Sequence, residues 1–330
     1  MNQPLDLDRL ADAAESGEST RTVVVALATN AVVAAAKTVA AVLSGSASML
    51  AEAAHSWADT GNEVFLLIAD KRSSRPADAR HPLGHGREAY VWALLAAVGL
   101  FVTGASVSVW HGISTLLHGE SNQGDYRVAY IVLAIAFVME VFSLVQAMRQ
   151  LRGEARLYHR DLLEHAMATS DPTTRAVFAE DGTAVIGLVI AFAGVGLHQL
   201  TGDAMWDAFG SILVGVLLAV TAVLLIDRNR RFLIGEPGSG ELNDAVVARI
   251  RQLPDVAGVR FVRLVFVGPK RLFLVASVDL VGDQVESHVA HTLRRLEREL
   301  ETNPEIVDAV LTIAEPDEED ELGGNPGGVQ

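Results

Sequence analysis

The sequence predicts a membrane α-helical protein, with six transmembrane helices followed by a small cytosolic α+β domain. Three observations carry this. Six apolar runs, each near the length of a spanning helix, occupy residues 22–226. Among the connectors between those runs, Lys and Arg fall only in alternate ones. After Asp227 the pattern changes, and no later run is long enough to span.

Composition agrees. Half of the 330 residues are hydrophobic and 20% are charged, and mean hydropathy is positive. That mixture suggests apolar membrane segments joined to a charged soluble part. There is no cysteine, which excludes disulfides and thiolate metal sites; a metal would be held by His, Asp or Glu. The net charge of −15 argues against a nucleic-acid partner, and much of it lies in residues 6–18 and 315–321. The acidic N-terminus lacks a basic n-region, so a cleaved signal peptide is not expected.

Residues 1–20 read as a polar cytosolic tail. The six runs cover residues 22–43, 48–70, 88–117, 126–148, 173–197 and 205–226. The third is long enough to tilt or to project beyond the bilayer. Lys71, Arg72, Arg75, Arg80 and Arg87 lie between spans two and three. Arg149, Arg152, Arg156 and Arg160 lie between spans four and five, and Arg228, Arg230 and Arg231 follow span six. The opposite connectors, 44–47, 118–125 and 198–204, hold neither Lys nor Arg. The positive-inside rule then puts both termini in the cytoplasm.

Residues 241–253 have helical periodicity. Residues 259–267 and 272–280 are strand-like, with Gly268-Pro269 between them. Residues 284–300 form an amphipathic helix and 306–314 a third strand. The order α-β-β-α-β predicts three strands backed by two helices over residues 234–316. The acidic, then Gly-rich residues 317–330 predict a disordered tail.

The chemistry concentrates in span two, SMLAEAAHSWADTGNEVFLLIAD. Glu52, His55, Asp59 and Glu63 recur every three or four residues, so a helix places them on one stripe. Ionisable groups at membrane depth are costly unless they meet a partner, a metal or water. His55 and Asp59, at i and i+4, can point at one ion. The plain alternative is a His satisfied by a backbone carbonyl, with Asp59 paired to Lys37 of span one. Span five carries Glu180 and Asp181, whose alternative is a salt bridge to Arg175 or a helix cap. Asp181 facing His55 and Asp59 would make three ligands of the types that bind Zn²⁺ tetrahedrally. Water, Glu180, Glu52 or Glu140 of span four could supply the fourth. Asp207 and Ser211, at the start of span six, read as structural.

A second constellation lies in the cytoplasmic connector RPADARHPLGHGREAY. Asp78, His81 and His85 are spaced +3 and +4, and Pro82, Gly84 and Gly86 favour a folded loop. The alternative is a solvated basic loop. His288 and His291 on the last helix read as surface.

Together these residues resemble the cation diffusion facilitator family. The carriers are NAVVAAAKTVAAVLSGSASMLAEAAHSWADTGNE, the loop HPLGHGREA, and WDAFGSILVGVLL followed by LIGE. The resemblance covers about residues 20–316. It implies a homodimer in the lipid bilayer, six spans per protomer and a cytosolic ferredoxin-like domain. It implies exchange of a divalent cation for protons, with no cofactor. It carries His55, Asp59 and Asp181 as the transport site and Asp78, His81 and His85 as a loop zinc site. Many zinc-transporting relatives have His or Asp four residues before the span-five Asp, where this chain has Val177. Glu180 beside Asp181, with Glu140, is similar to a branch that includes a mitochondrial animal member. Where some relatives bind a metal pair in the cytosolic domain, this chain has Arg260, Ser277 and Ile313. Dimer contact is therefore that domain's expected role.

Zinc is the favoured substrate, because His55 is a borderline ligand; Mn²⁺, Fe²⁺, Co²⁺ and Ni²⁺ are the alternatives. A rival from another class is an intramembrane metal hydrolase, but the chain has no HExxH motif. No organelle signal is visible, and the Ala-, Val- and Arg-rich composition resembles a GC-rich bacterial genome. The expected location is the cell (inner or plasma) membrane.

Overall fold

A computed structural model describes residues 20–118, 126–157 and 160–314. Residues 1–19 of the expected N-terminal tail, the tail expected at 317–330, and residues 119–125 of the 118–125 connector fall outside them. Six long helices form the first compact unit: α1 (Thr20–Ser44), α2 (Ala47–Ser73), α3 (Glu88–His118), α4 (Tyr126–Leu157), α6 (Pro172–Thr201) and α7 (Met205–Ile234). A short α5 (Leu162–Ala168) precedes α6. Among the described residues, five helices are long and apolar enough to cross a membrane: α1, α3, α4, α6 and α7. Helix α2 has the length, 27 residues, but its charged stripe dilutes its apolar character.

Helices α4 and α7 continue past the apolar runs, to Leu157 and Ile234. An apolar run reports bilayer thickness, whereas a helix stops at a cap or breaker. In α6 these signals are complete. Asp171 accepts from Thr173 N at 2.9 Å, Pro172 follows at the first position, and Gly202 closes the helix at φ 73°.

The bundle buries small residues and exposes large ones. Met49 of α2 packs against Ala40, Leu133 and Ala191 of α1, α4 and α6. On its other flank, Ala51 and Ala58 pack against Leu100, Ala105 and Leu218 of α3 and α7. Val138, Phe142, Val189 and Val220 face outward. This suits a lipid surround, where close helix approach depends on small side chains rather than on hydrophobic burial. A Cβ on Gly215 would lie 2.6 Å from Val109 Cγ2, and one on Gly112 would lie 2.8 Å from Ala208 O, so α3 and α7 touch backbone to backbone. Helix α3 widens to a π-helix at Leu100–Ala105. There Thr103 Oγ1 donates to Gly99 O at 2.5 Å and Ser106 Oγ to Phe101 O at 3.2 Å. These hydroxyls satisfy carbonyls at the disturbed turn.

The second unit follows α7. It comprises α8 (Gly240–Arg251), β1 (Val256–Gly268), β2 (Arg271–Leu280), α9 (Glu286–Leu300) and β3 (Ile306–Ile313). The expected α-β-β-α-β order is present. The sheet order is β1-β2-β3, with β1 and β2 antiparallel and β2 and β3 parallel. The parallel step requires a crossover, which α9 supplies. Leu264, Leu274, Ala276 and Leu296 lie in its core. Carboxylates of α9 cover donors of β3: Glu297 Oε1 accepts from Leu311 N at 2.9 Å and Glu301 Oε1 from Ala309 N at 3.2 Å. Connector residues 73–87 belong with this unit, not with the helices that flank them in sequence.

Candidate metal centre

At about 100° per residue, Glu52, His55, Asp59, Asn62 and Glu63 fall on one arc of α2. The arc lies between the flank of Met49 and the flank of Ala51 and Ala58, so packing on both sides turns it inward. Glu52 has a partner in α1: Lys37 Nζ lies 3.1 Å from its Oε2, and both side chains are wholly buried. The alternative pairing of Lys37 with Asp59 is thereby corrected. Lys37 sits fifteen residues before Glu52, a hairpin's reach that spacing alone does not assign. His55 is fully buried, and its Nδ1 lies 3.3 Å from Asp59 Oδ1.

Toward the C-terminal end of α2, three hydrogen bonds bind the arc and its neighbours. Asn62 donates to Glu180 of α6, and Asn30 of α1 donates to Glu63. Ser143 of α4 donates to Asp181 at 2.6 Å. Glu180 and Asp181 thus lean on different helices. Arg175 uses two guanidinium nitrogens on Thr169 O at 2.9 Å and Asn229 Oδ1 at 2.6 Å. Asp59 lies within the fields of Glu180, Glu140, Lys37 and Asp181.

Among the described residues, several buried atoms of α2 have no hydrogen-bond partner: Glu52 Oε1, both ring nitrogens of His55, Asp59 Oδ1, Asn62 Oδ1 and Glu63 Oε2; His55 Nδ1 and Asp59 Oδ1 meet as an ion-pair contact without a hydrogen bond. An unpaired buried polar atom costs about 1–3 kcal/mol, so a run of them on one helix face calls for a bound cation, a proton or water. Imidazole nitrogen and carboxylate oxygen are the donors that divalent cations take. His55 and Asp59 stand together. Asp181 and Glu180 face Ser143 and Asn62, and no trio of transport-site ligand atoms closes to within 4.8 Å among the described residues. Asn62 and Ser143 escaped the sequence reading. Asn62 and Glu63 continue the spacing of the stripe, and that was the available signal.

The trio that does close is in the connector. Ligand atoms of Asp78, His81 and His85 lie within 4.8 Å of one another. Asp78 Oδ1 is 3.2 Å from His81 Nδ1, and Oδ2 is 3.1 Å from His85 Nε2. The two imidazole centroids are 4.1 Å apart. The amides of Arg80 and His81 both donate to Asp78 Oδ1 at 2.8 Å. The His85 hydrogen bond, followed by these amides, holds the Asp78 carboxyl well below the usual carboxylate range. Gly84, at φ 77°, allows the turn that returns His85 to Asp78. Gly86 then packs on the β1–β2 turn, where a Cβ on it would stand 2.5 Å from Val267 O and 2.8 Å from Gly268 Cα.

Five helices among the described residues, long and apolar enough to cross a membrane, define an integral membrane protein, and atoms of the kinds that metal cations take line one buried face of α2. The chain belongs to the cation efflux family: the family model for the cation efflux transmembrane domain matches residues 23–234. Members of this family are metal cation transporters and not enzymes, and the chain's apolar helices make it a multi-pass membrane protein. It is 34% identical over 262 residues to the proton-coupled zinc antiporter SLC30A9, mitochondrial, of Xenopus laevis, covering 79% of this chain and 47% of that protein. It is 33% identical over 256 residues to metal tolerance protein C4 of Arabidopsis thaliana, covering 78% of this chain and 55% of that protein. It is 24% identical over 251 residues to magnetosome protein MamM of Paramagnetospirillum magneticum, covering 74% and 72%. The chain spans about half the length of the first two relatives.

Proposed function

We propose that the protein exports a divalent cation, most readily Zn²⁺, from the cytoplasm in exchange for protons. One observation carries the reading: the unpartnered buried nitrogen and oxygen atoms on one face of α2. In this reading His55, Asp59 and Asp181 are ligands and Glu180 is the fourth. Ligands must lose protons before they hold a cation, so binding expels protons and proton return drives release. Rocking of the helices alternates access to the site. The name of the zinc-antiporter relative supports both the metal and the coupling.

The remaining features follow the same reading. Helix α2 is the sixth span, and both termini are cytoplasmic in the cell membrane. The domains are a tail at 1–20, a membrane domain at 21–233, a ferredoxin-like domain at 234–316 and a tail at 317–330. The protein is a homodimer, with the cytosolic domain in the dimer contact, and Asp78, His81 and His85 hold a second zinc. A second reading has a harder cation, Mn²⁺, Fe²⁺ or Co²⁺, as substrate. It is favoured by the excess of carboxylates over the single imidazole around Asp59.

Proteoliposomes test both. Each metal is offered in turn while internal metal and pH are followed by dye. The proposal expects Zn²⁺ uptake coupled to a proton flux of opposite sense. Uptake without proton movement, or none of any divalent metal, refutes it.

A further inference from the structure

Asp207 opens α7 and is wholly buried. Its carboxylate is taken up by the first turn of α2. Oδ1 accepts from Ser46 Oγ at 2.9 Å and from Ser48 N at 3.3 Å, and Oδ2 accepts from Ala47 N at 2.5 Å. Ser48 Oγ donates back to Asp207 O at 2.8 Å. Ser46 also caps locally, accepting from Met49 N at 3.1 Å. Free N–H groups at a helix start need acceptors, and a carboxylate there also suits the helix dipole. Here that acceptor comes from 160 positions later in the chain.

The contact leaves no slack. A Cβ on Gly194 would stand 2.9 Å from Ser48 Oγ, and one on Gly210 would stand closer still. Glycines of α6 and α7 therefore hold the first turn of α2 from two sides. His55 lies eight residues beyond Ala47, about 12 Å at 1.5 Å per residue. Over that length a helix is stiff, so a shift or rotation of its first turn reaches the ligand atoms.

We infer that Asp207 is a positioning residue for transport: by capping α2 from α7, it sets the height and rotation at which His55 and Asp59 present their atoms. The inference rests on the reading of those two residues as cation ligands. Asp207 acts through them and is not itself a ligand.

The test uses the full chain in proteoliposomes, with Zn²⁺ as probe. Asp207→Asn keeps the side chain's size but leaves one acceptor oxygen where the carboxylate offers two, so the three donors of Ser46, Ala47 and Ser48 are no longer all met. Ser46→Ala removes a single hydroxyl and decides by the same readouts if Asp207→Asn does not fold. The first readout is hydrogen exchange at the amides of residues 47 and 48. The second is the split of uptake into KM and maximal rate. The expected result is faster exchange and a KM for Zn²⁺ raised about tenfold or more, the range for groups that orient metal ligands. Loss of folded protein alone would lower the maximal rate and leave KM unchanged. Faster exchange with unchanged KM overturns the positioning role, and unchanged exchange overturns the cap. Asp59→Asn separates the two ideas. If it leaves uptake intact, the site reading falls and takes the role of Asp207 with it. If it abolishes uptake while the cap variants keep their KM, only the inference about Asp207 falls.

Discussion

Lys37 Nζ lies 3.1 Å from Glu52 Oε2 inside the helix bundle, with neither side chain reaching the surface. Breaking such a pair strands one charge, which costs about 3–5 kcal/mol, whereas replacing both partners with apolar groups is often neutral. Lys37→Met and Glu52→Leu are each expected to lower the melting temperature of the purified protein sharply. The double variant is expected to recover most of the loss. A double variant as unstable as the sum of the singles would mean that the pair is not coupled.

In the proposed transport site, His55 Nδ1 and Asp59 Oδ1 stand 3.3 Å apart. Asp59→Asn and His55→Ala are expected to reduce Zn²⁺ uptake at least about 100-fold, beyond the 10–100-fold typical of groups that only orient ligands. Ser143→Ala, which releases Asp181, is expected to fall within that smaller range. Initial rates of uptake over a Zn²⁺ series provide the comparison, and equal effects for all three would contradict the assigned roles.

Glu180 and Asp181 are neighbours in sequence but lean on Asn62 and Ser143 respectively. If both are ligands, Glu180→Gln and Asp181→Asn each weaken Zn²⁺ binding to the purified protein. Asn62→Ala then weakens it through Glu180 alone, so it adds little on the Glu180→Gln background. Equilibrium dialysis with Zn²⁺ measures this, and full additivity would separate Asn62 from Glu180.

The connector loop is pinned where Gly86 meets Gly268. A methyl at Gly86 would overlap the Val267 carbonyl, so Gly86→Ala is expected to cost about 1–3 kcal/mol and to lift the loop from the β1–β2 turn. Limited proteolysis within residues 73–87 should accelerate. The protein should also lose one zinc per chain in dialysis, as His85→Ala should, and retention of that zinc in both variants would remove the loop site.

Burial pushes the Glu305 carboxyl up to about 7, with Lys270 pulling the other way. The unfolded chain releases this proton at an ordinary value near 4.5, so the folded form binds more protons between the two. Stability from this group is therefore present at acid pH and falls as pH rises from about 4.5 to about 7, then levels off. Glu305→Gln should flatten that slope and gain on the order of 3 kcal/mol at pH 8. Hydrogen exchange of the segment around residue 305, followed against pH in the full chain, reports it. An unchanged slope would contradict the assignment.

Much was legible because it is written in local spacing. The recurrence of His55 and Asp59 at one helical turn, the Asp78, His81 and His85 triad, and the alternation of strand-like and helical patterns after residue 240 all need only neighbours in sequence. Helix ends were less legible. Hydropathy follows the bilayer, and α4 and α7 run past it into a region where charge no longer marks a boundary.

The sequence by itself determined that ionisable residues would line one face of α2 and that a small α-β-β-α-β unit would follow the helices. Only the tertiary structure decided how those residues are matched: Lys37 with Glu52, Asn62 with Glu180, Ser143 with Asp181, and Asp207 with the start of α2. The reason is physical. Periodicity tells which way a side chain turns on its own helix. Which helix it meets depends on where Ala and Gly let two backbones close together, and that is a property of pairs of segments far apart in the chain.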